Sequence, residues 1–195
     1  MKADWIEPFD RFRRVYLAAQ QALPDDYNAV TVATVDERGR PVARICLLKD
    51  FDPQGFVFFT NYNSRKGREL RANPAVALCF YWPVLAEQVR IEGVGRSIDA
   101  DESDAYFATR PRISQIGAWA SAQSAPLASR AELENRVSQL TAQYEGRDVP
   151  RPLHWGGFRV KPDRIEFWKG HAFRLHYRDL YERIDDSWRK SMLNP

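Results

Sequence analysis

The stretch AVTVATVDERGRPVARICLLK, residues 29–49, decides the fold. Small and β-branched residues alternate over 29–35, and the sequence DERG at 36–39 is typical of a hairpin turn. A second apolar run then extends from Pro41 to Lys49. The pattern predicts two antiparallel strands joined by a tight turn.

Short apolar runs and turns continue to alternate along the rest of the chain. Further strands are predicted for FVFFTN (56–61), AVALCFYW (75–82), QVRIEGVGRSI (88–98), FRVKPDRIEFW (158–168), FRLHYRDLYER (173–183) and SWRKSMLNP (187–195). Successive short strands with tight turns are typical of an antiparallel barrel. We therefore predict a mostly β (α+β) fold, an antiparallel β-barrel with flanking helices.

Helices are predicted before the first strand and between later strands of the chain. Apolar residues from Trp5 onward recur every three or four positions over 4–22, as in an amphipathic helix. Two more helices are expected near 101–109 and 129–145, and Ser129 is placed to cap the second of these. The helices are most simply explained as packing elements around the barrel.

Length and composition predict a single domain. A chain of 195 residues with 44% hydrophobic residues buries a substantial core. We expect residues 1–24 to form an N-terminal helical cover and residues 25–125 to form the barrel core with the main ligand site. Residues 126–195 would add a helix and the C-terminal strands, completing the site and any interface.

The composition also argues against several classes of function. The net charge is only +3, and the arginines are scattered among acidic residues, so nucleic-acid binding is not favoured. No apolar run approaches a membrane span, and the N-terminus lacks the apolar core of a signal peptide. We expect a cytoplasmic protein with no membrane contact.

Cysteines and histidines do not indicate a metal site. Cys46 and Cys79 each lie in an apolar run, so we expect reduced, buried thiols. The three histidines show no metal-ligand spacing, and in a strand His171 and His176 would point to opposite faces.

The sequence Arg174-Leu175-His176-Tyr177-Arg178 is a first candidate site. In an extended strand, Arg174, His176 and Arg178 would lie on one face. A row of cations on one face suits an electron-rich or anionic ligand, although an exposed sheet face of alternating polar residues would look the same.

Two further segments have the composition of anion sites. Residues 63–67 follow a strand and open a short helix, where Ser64 can cap and unpaired backbone amides favour a phosphate. Residues 106–114 gather a phenol, two guanidinium groups and a hydroxyl around a helix end, although arginines there can also simply interact with the helix dipole.

Other polar residues extend these candidates. Arg44 and Lys49 would point to opposite faces of a regular strand and so serve two anionic groups, unless they merely reach solvent. Gln123 and Ser124 are suited to the edge of a heterocycle, and Trp168 to packing on such a ring or in the core.

Taken together, the motifs resemble the pyridoxine (pyridoxamine) 5′-phosphate oxidases, a family of flavoproteins. The resemblance covers about residue 25 to Pro195 and is specific because the motifs occur in the family's order. They are RICLLK (44–49), FFTNYNSRKGRELRANP (58–74), EQVRIEG (87–93), YFATRPRISQIGAWAS (106–121), WGGFRV (155–160), IEFWKG (165–170) and RLHYR (174–178).

The resemblance implies an FMN-binding split barrel, a homodimer with two FMN molecules at the subunit interface, and oxidation of phosphorylated B6 vitamers by FMN and O2 with release of H2O2. FMN contacts are implied at Arg44, Ile45, Cys46, Leu47, Leu48, Lys49, Phe59, Thr60, Arg65, Lys66, Gln88, Gln123, Ser124, Trp168 and Arg178. Substrate contacts are implied at Lys49, Tyr106, Arg110, Ser114, Arg174, Leu175 and His176, with Arg174 and His176 as the catalytic pair.

Two positions depart from the family's usual residues. The family usually has Asp where Tyr177 stands, and we expect altered packing there. Phe59 replaces a frequent Tyr and removes one hydroxyl near the implied flavin site.

Two alternative functions remain open. One is a related flavin oxidase of secondary metabolism, such as the phenazine-pathway relatives that oxidise tricyclic substrates; the complete set Tyr106, Arg110 and Ser114 argues against it. The other is a non-catalytic protein that binds FMN or pyridoxal phosphate, against which the presence of Arg174 and His176 argues.

Overall fold

A closed six-stranded antiparallel barrel forms the centre of the protein. The structure, a computed structural model, describes residues 2–3 and 6–195. The strands are β1 Lys2–Ala3, β2 Ala29–Val35, β3 Pro41–Asp52, β4 Gly55–Asn61, β5 Ala75–Trp82, β6 Glu87–Ser97, β7 Trp155–Lys169, β8 Tyr177–Ile184 and β9 Ser187–Met192. The α-helices are α1 Glu7–Ala22, α2 Arg65–Ala72, α3 Ala100–Ala108, α4 Arg112–Ala120 and α5 Arg130–Gln143.

The barrel closes through β7. The strand order is β7-β4-β3-β2-β5-β6, and β6 pairs again with β7 to complete the ring. All neighbouring strands are antiparallel. Beyond the ring, β8 pairs with the far half of β7, followed by β9 and β1. The predicted antiparallel barrel with flanking helices is confirmed.

Helix α1 packs its aromatic face onto the barrel core. Phe9 and Phe12 are buried, and the Phe12 ring meets the edges of Phe56 at 4.9 Å and Phe80 at 5.3 Å. Burial of such rings is worth roughly 1.5–3 kcal/mol each. The helix begins at Glu7, within the predicted segment, whereas Trp5 lies outside the described residues.

The helices α3, α4 and α5 enclose a second, smaller cluster. Phe107, Ile116 and Trp155 are buried there, and Val137 and Leu140 of α5 pack against them. The Ser129 hydroxyl accepts a hydrogen bond from the Glu132 amide, so the predicted cap of α5 is confirmed. Sequence analysis did not predict α4, which begins directly after Pro111, a residue type often found at the start of a helix.

The interpretation of residues 173–178 as one strand is wrong. Strand β8 begins only at Tyr177, and a short 3-10 turn spans Ala172–Arg174. Phe173 and Arg174 have φ values of 57° and 62°, in the left-handed region that no strand contains. Arg174, His176 and Arg178 therefore do not form a row on one strand.

Some classes of feature are absent from the described part of the chain. None of its helices combines the length and apolar character needed to cross a membrane. Across residues 2–3 and 6–195 there is also no group of three or more histidine, cysteine and acidic residues suited to a metal ion. Cys46 and Cys79 are free, as predicted, but both are half-buried where full burial was expected.

Candidate active site

A cleft of about 660 Å³ lies between β3 and β4 on one side and the α3–α4 connection on the other. We call it the β3–α4 cleft. Its volume lies within the range of small-molecule sites, roughly 300–1,000 Å³. Its lining includes Ile45, Cys46, Leu47, Lys49, Phe59, Thr60, Lys66, Tyr106, Arg110, Ser114, Gly117, Gln123 and Trp155.

Four polar side chains predicted to bind the substrate line this cleft. Lys49 comes from β3, at a point where the pairing of β3 with β4 shifts register between Leu48 and Asp50. Tyr106, Arg110 and Ser114 come from α3, the α3–α4 connection and α4. Two cations and two hydroxyls provide many donors, as a phosphate group requires.

The two cations of this set, Lys49 and Arg110, lack carboxylate partners in the part of the chain that the structure describes. The Nη1 atom of Arg110 is buried and has no hydrogen-bond partner there. The guanidinium carbon lies 4.6 Å from the centre of the Trp155 ring. Burial and the nearby Arg110 both lower the pKa of Lys49. An unpaired, partly buried guanidinium beside an exposed ammonium favours an anionic ligand.

Stacked aromatic rings form the wall behind Arg110. The Phe59 ring stacks on Tyr106 at 3.9 Å and on Trp155 at 5.2 Å. Burial raises the pKa of the Tyr106 phenol, with Arg110 acting in the opposite direction, so the phenol remains a hydrogen-bond donor at neutral pH. The stack fixes the position of both Tyr106 and Arg110.

A second polar group lies at the start of α2. The Lys66 ammonium donates to Thr60 Oγ1 at 3.0 Å and to Gln123 Oε1 at 3.1 Å. The Ser64 hydroxyl accepts from the Gly67 amide at 3.3 Å, which confirms the predicted cap. A Cβ atom at Gly67 would lie 2.4 Å from the Tyr62 carbonyl oxygen, so glycine lets α2 approach β4 and direct Lys66 into the cleft.

Arg44 and Arg65 do not line the cleft but meet a carboxylate beside it. Arg44 Nη2 donates to Glu69 Oε2 at 3.0 Å, and Arg65 Nε donates to Glu69 Oε1 at 2.8 Å. Arg65 also lies 3.6 Å from Asp36. Sequence analysis did not select Glu69, although its position four residues after Arg65 was a usable signal for a helical ion pair.

The remaining predicted contacts on β3 and near α4 differ in exposure. Ile45 and Leu47 expose 64% and 45% of their surface, whereas Leu48 is in the core and can contact a ligand only through its backbone. Burial raises the pKa of the half-buried Cys46, against the effect of Lys66 and Arg44. Ser124 is exposed and has a φ of 72°.

A separate group of predicted residues lies on β6, β7 and β8. Gln88 is paired in register with Trp168, and Trp168 with Arg178. Arg178 donates to Glu166 at 2.8 Å, and Arg90 also donates to this carboxylate. Together with Arg174 and His176 we call this group the Trp168 surface.

The turn before β8 holds the two predicted catalytic residues. The His176 ring lies 4.6 Å from Trp168, and its Nδ1 accepts a hydrogen bond from the His171 amide at 3.2 Å. In neutral His176 the proton therefore resides on Nε2, which becomes a donor. Leu175 and Tyr177 are exposed, and Phe173 is 93% exposed.

The predicted site residues thus fall into two places in one chain. In the described residues, no member of the Trp168 surface lines the β3–α4 cleft. Both places carry exposed apolar side chains, Ile45 and Leu47 at the first and Leu175 and Tyr177 at the second.

A closed antiparallel barrel with a cation-lined cleft in its wall is the architecture of the FMN-binding split-barrel flavoproteins. Sequence comparison specifies the family. Residues 17–144 match the family described as "Pyridoxamine 5'-phosphate oxidase", and residues 155–195 match its "C-terminal dimerisation region". The chain belongs to the pyridoxamine 5′-phosphate oxidase family, whose members are FMN-dependent oxidases.

Relatives of the whole chain are similar along almost their full length. The pyridoxine/pyridoxamine 5′-phosphate oxidase of Myxococcus xanthus (strain DK1622) is 57% identical over 97% of this chain and 92% of that protein. The enzyme of the same description from Rubrobacter xylanophilus is 54% identical over 97% of this chain and 87% of that protein.

A solved structure is also closely similar. PhzG from Burkholderia lata 383, in complex with tetrahydrophenazine-1-carboxylic acid, superimposes with a TM-score of 0.90. It is 31% identical and covers 96% of this chain and 92% of that one.

The residues present fit FMN. The ammonium group of Lys66, the half-exposed guanidinium of Arg65 and the neutral donors and acceptors of Thr60 and Gln123 suit a ligand with a phosphate and a polar heterocycle. The exposed Ile45 and Leu47 add apolar surface beside these groups, as a flat aromatic ring requires.

Proposed function

We propose that the chain oxidises pyridoxine 5′-phosphate or pyridoxamine 5′-phosphate to pyridoxal 5′-phosphate, with O2 reduced to H2O2. In the cell this reaction would serve vitamin B6 salvage in the cytoplasm. The main support for the proposal is that Lys49, Tyr106, Arg110 and Ser114 line one cleft, with both cations unpaired within the described residues. A substrate phosphate would neutralise them.

The proposal places two phosphate groups at two separate clusters. The cofactor phosphate would lie at the N-terminus of α2, near Lys66, Arg65 and Arg44, where the helix dipole favours an anion. The substrate phosphate would lie at Lys49 and Arg110. The substrate ring would then extend from Arg110 along the cleft.

The homodimer is part of the proposal. The C-terminal dimerisation region at 155–195 contains Trp168, Arg174, His176 and Arg178. We propose that the Trp168 surface of one subunit completes the β3–α4 cleft of the other. The exposed Leu175 and Tyr177 would be covered in this assembly.

The reaction removes two electrons and two protons from C4′ and its oxygen or nitrogen. Bound FMN supplies the electron acceptor for this oxidation. Arg174 and His176 would contact the substrate ring and the substituent on C4′. With its proton on Nε2, His176 donates a hydrogen bond to that substituent and orients it. An imine formed from the amine substrate would release ammonia after addition of water.

Oxygen-dependent turnover of the FMN-loaded protein tests the proposal. With pyridoxine 5′-phosphate as substrate, we expect aldehyde and H2O2 to appear in equal amounts. FMN binding without either product would reject it. A non-catalytic binding protein would then be favoured.

The similarity to PhzG supports a second candidate, oxidation of a tricyclic phenazine precursor. A tricyclic monocarboxylate carries one negative charge and would neutralise only one of the two cations Lys49 and Arg110, whereas a phosphate monoester, with a charge of about −1.5 to −2, would neutralise both. Faster turnover of a tricyclic substrate than of pyridoxine 5′-phosphate would favour it.

A further inference from the structure

Glu69 on α2 is a buried carboxylate that joins three elements of the fold. It is 7% exposed. Its Oε2 accepts hydrogen bonds from Thr34 Oγ1 on β2 at 2.5 Å and from Arg44 Nη2 on β3 at 3.0 Å. Its Oε1 accepts from Arg65 Nε on α2 at 2.8 Å. Both carboxylate oxygens are therefore used.

The carboxylate is charged in the folded protein. Burial on its own raises the pKa of Glu69, but the hydrogen bonds from Thr34, Arg65 and Arg44 outweigh burial and lower it. A buried charge that is paired and hydrogen-bonded in this way holds its partners in one geometry, because any other arrangement would leave it unsatisfied.

The consequence for the two arginines is a fixed orientation. Arg44 Nη1 donates to Thr34 Oγ1 at 2.5 Å and to the Val32 carbonyl at 3.2 Å, so its Nε–H and one Nη2 N–H have no hydrogen-bond partner among the described residues. Arg65 keeps 52% of its side chain exposed, so part of its guanidinium stays open to a ligand. Glu69 thus holds each arginine by one edge.

The charges of this cluster match a phosphate monoester. Arg40, Arg44 and Arg65 pair with the carboxylates of Asp36 and Glu69, and Lys66 lies within electrostatic range of Arg44 and Glu69. Four cations against two carboxylates leave a surplus of two positive charges. A phosphate monoester carries about −1.5 to −2 at neutral pH.

We propose that Glu69 is a positioning residue that presets Arg44 and Arg65 for the FMN phosphate before the cofactor binds. The inference rests on the proposed function, which places that phosphate beside α2. Two effects of losing the carboxylate oppose each other. The extra positive charge strengthens anion binding, whereas the freed guanidinium groups must be ordered again on binding and so weaken it. Because Glu69 is buried and both of its oxygens accept hydrogen bonds, we expect the cost of ordering the arginines again to be the larger effect.

Titration of the full-length apoprotein with FMN and with riboflavin, followed by flavin fluorescence, tests this inference. Riboflavin lacks only the phosphate. We expect Glu69→Gln to weaken FMN binding about tenfold and to change riboflavin binding less than twofold. Glu37→Gln is the matched control, because Glu37 is exposed and forms no ion pair within the described residues, yet its loss changes the charge equally. It should leave FMN affinity unchanged or slightly higher.

A second variant guards against misfolding of the first. Thr34→Val removes the hydroxyl that bridges Glu69 and Arg44 while keeping the side-chain shape, and should weaken FMN binding about threefold without affecting riboflavin. Unchanged or tighter FMN binding by Glu69→Gln would overturn the inference, as would equal weakening of FMN and riboflavin, which indicates a purely structural role.

The same titration separates this inference from the assignment on which it rests. A wild-type protein that binds FMN no better than riboflavin would reject the phosphate position beside α2, and the role of Glu69 with it. A wild-type preference for FMN that survives unchanged in Glu69→Gln would reject the role of Glu69 alone. Neither result depends on oxidase activity.

Discussion

The two cation clusters of the candidate site differ in what neutralises them. Beside α2, Arg44 and Arg65 are held by Glu69 and Asp36. Inside the β3–α4 cleft, Lys49 and Arg110 have no carboxylate partner among the described residues. A paired cluster keeps its geometry without a ligand, whereas an unpaired one gains most from binding an anion. The first suits a resident cofactor and the second a substrate that comes and goes.

The largest effect is expected outside both clusters. Arg174→Ala should lower kcat about 100-fold or more while FMN binding persists, because preorganised groups at a reacting centre contribute a few kcal/mol each. Steady-state kinetics and flavin titration measure the two effects. Turnover at the wild-type rate would show that Arg174 has no catalytic role.

Removal of the unpaired arginine tests the substrate cluster directly. Arg110→Ala should raise KM for pyridoxine 5′-phosphate about 10- to 100-fold, since charge-assisted hydrogen bonds contribute about 1.5–3 kcal/mol. The control is turnover of dephosphorylated pyridoxine, which should be unaffected. A similar loss with both substrates would mean that Arg110 supports the Phe59–Tyr106–Trp155 stack and does not bind phosphate.

The pH dependence of substrate binding distinguishes Lys49 from Arg110. Because burial and Arg110 lower the pKa of Lys49, its ammonium loses a proton at a pH below the ordinary value of 10.5. Phosphate favours the charged form, so KM for the phosphorylated substrate should rise about fivefold to tenfold as the pH increases through the pKa of Lys49. In Lys49→Arg this rise should move to higher pH. An unchanged profile would exclude Lys49 from phosphate binding.

The smallest expected effect concerns the helix beneath the paired cluster. Ser64→Ala removes the cap of α2 and should lower the free energy of unfolding by about 1 kcal/mol. Ser129→Ala removes the corresponding cap of α5 and serves as the matched control. Both should lower the melting temperature, but only Ser64→Ala should also weaken FMN binding. Equal FMN affinity in the two variants would show that the cap of α2 does not contribute to cofactor binding.

Features set by neighbouring residues were predicted well from the sequence. The turn at 36–39, the strands around it and both serine caps depend on contacts within a few positions. The gathering of Tyr106, Arg110 and Ser114 was also predicted, because all three lie within nine residues.

Features set by distant contacts were predicted less well. Adjacent residues of a helix point about 100° apart. Arg65 therefore contacts Glu69 while Lys66 contacts Thr60, and two consecutive cations in the sequence do not indicate this difference. Glu69 matters through Thr34 and Arg44, which come from other strands. The turn at 171–176 depends on positive φ values at Phe173 and Arg174, residue types that do not predict such a backbone.

The position of β7 in the sequence has a consequence for the synthesis of the chain. This strand pairs with both β4 and β6 and so closes the barrel, yet it spans Trp155–Lys169. While the ribosome is still making the first 154 residues, β4 and β6 each present an unpaired edge, and exposed edges are prone to pair with other chains. The barrel thus reaches its protected form only after β7 has been made, and substitutions that slow the docking of β7 would first be seen as aggregation of the nascent protein.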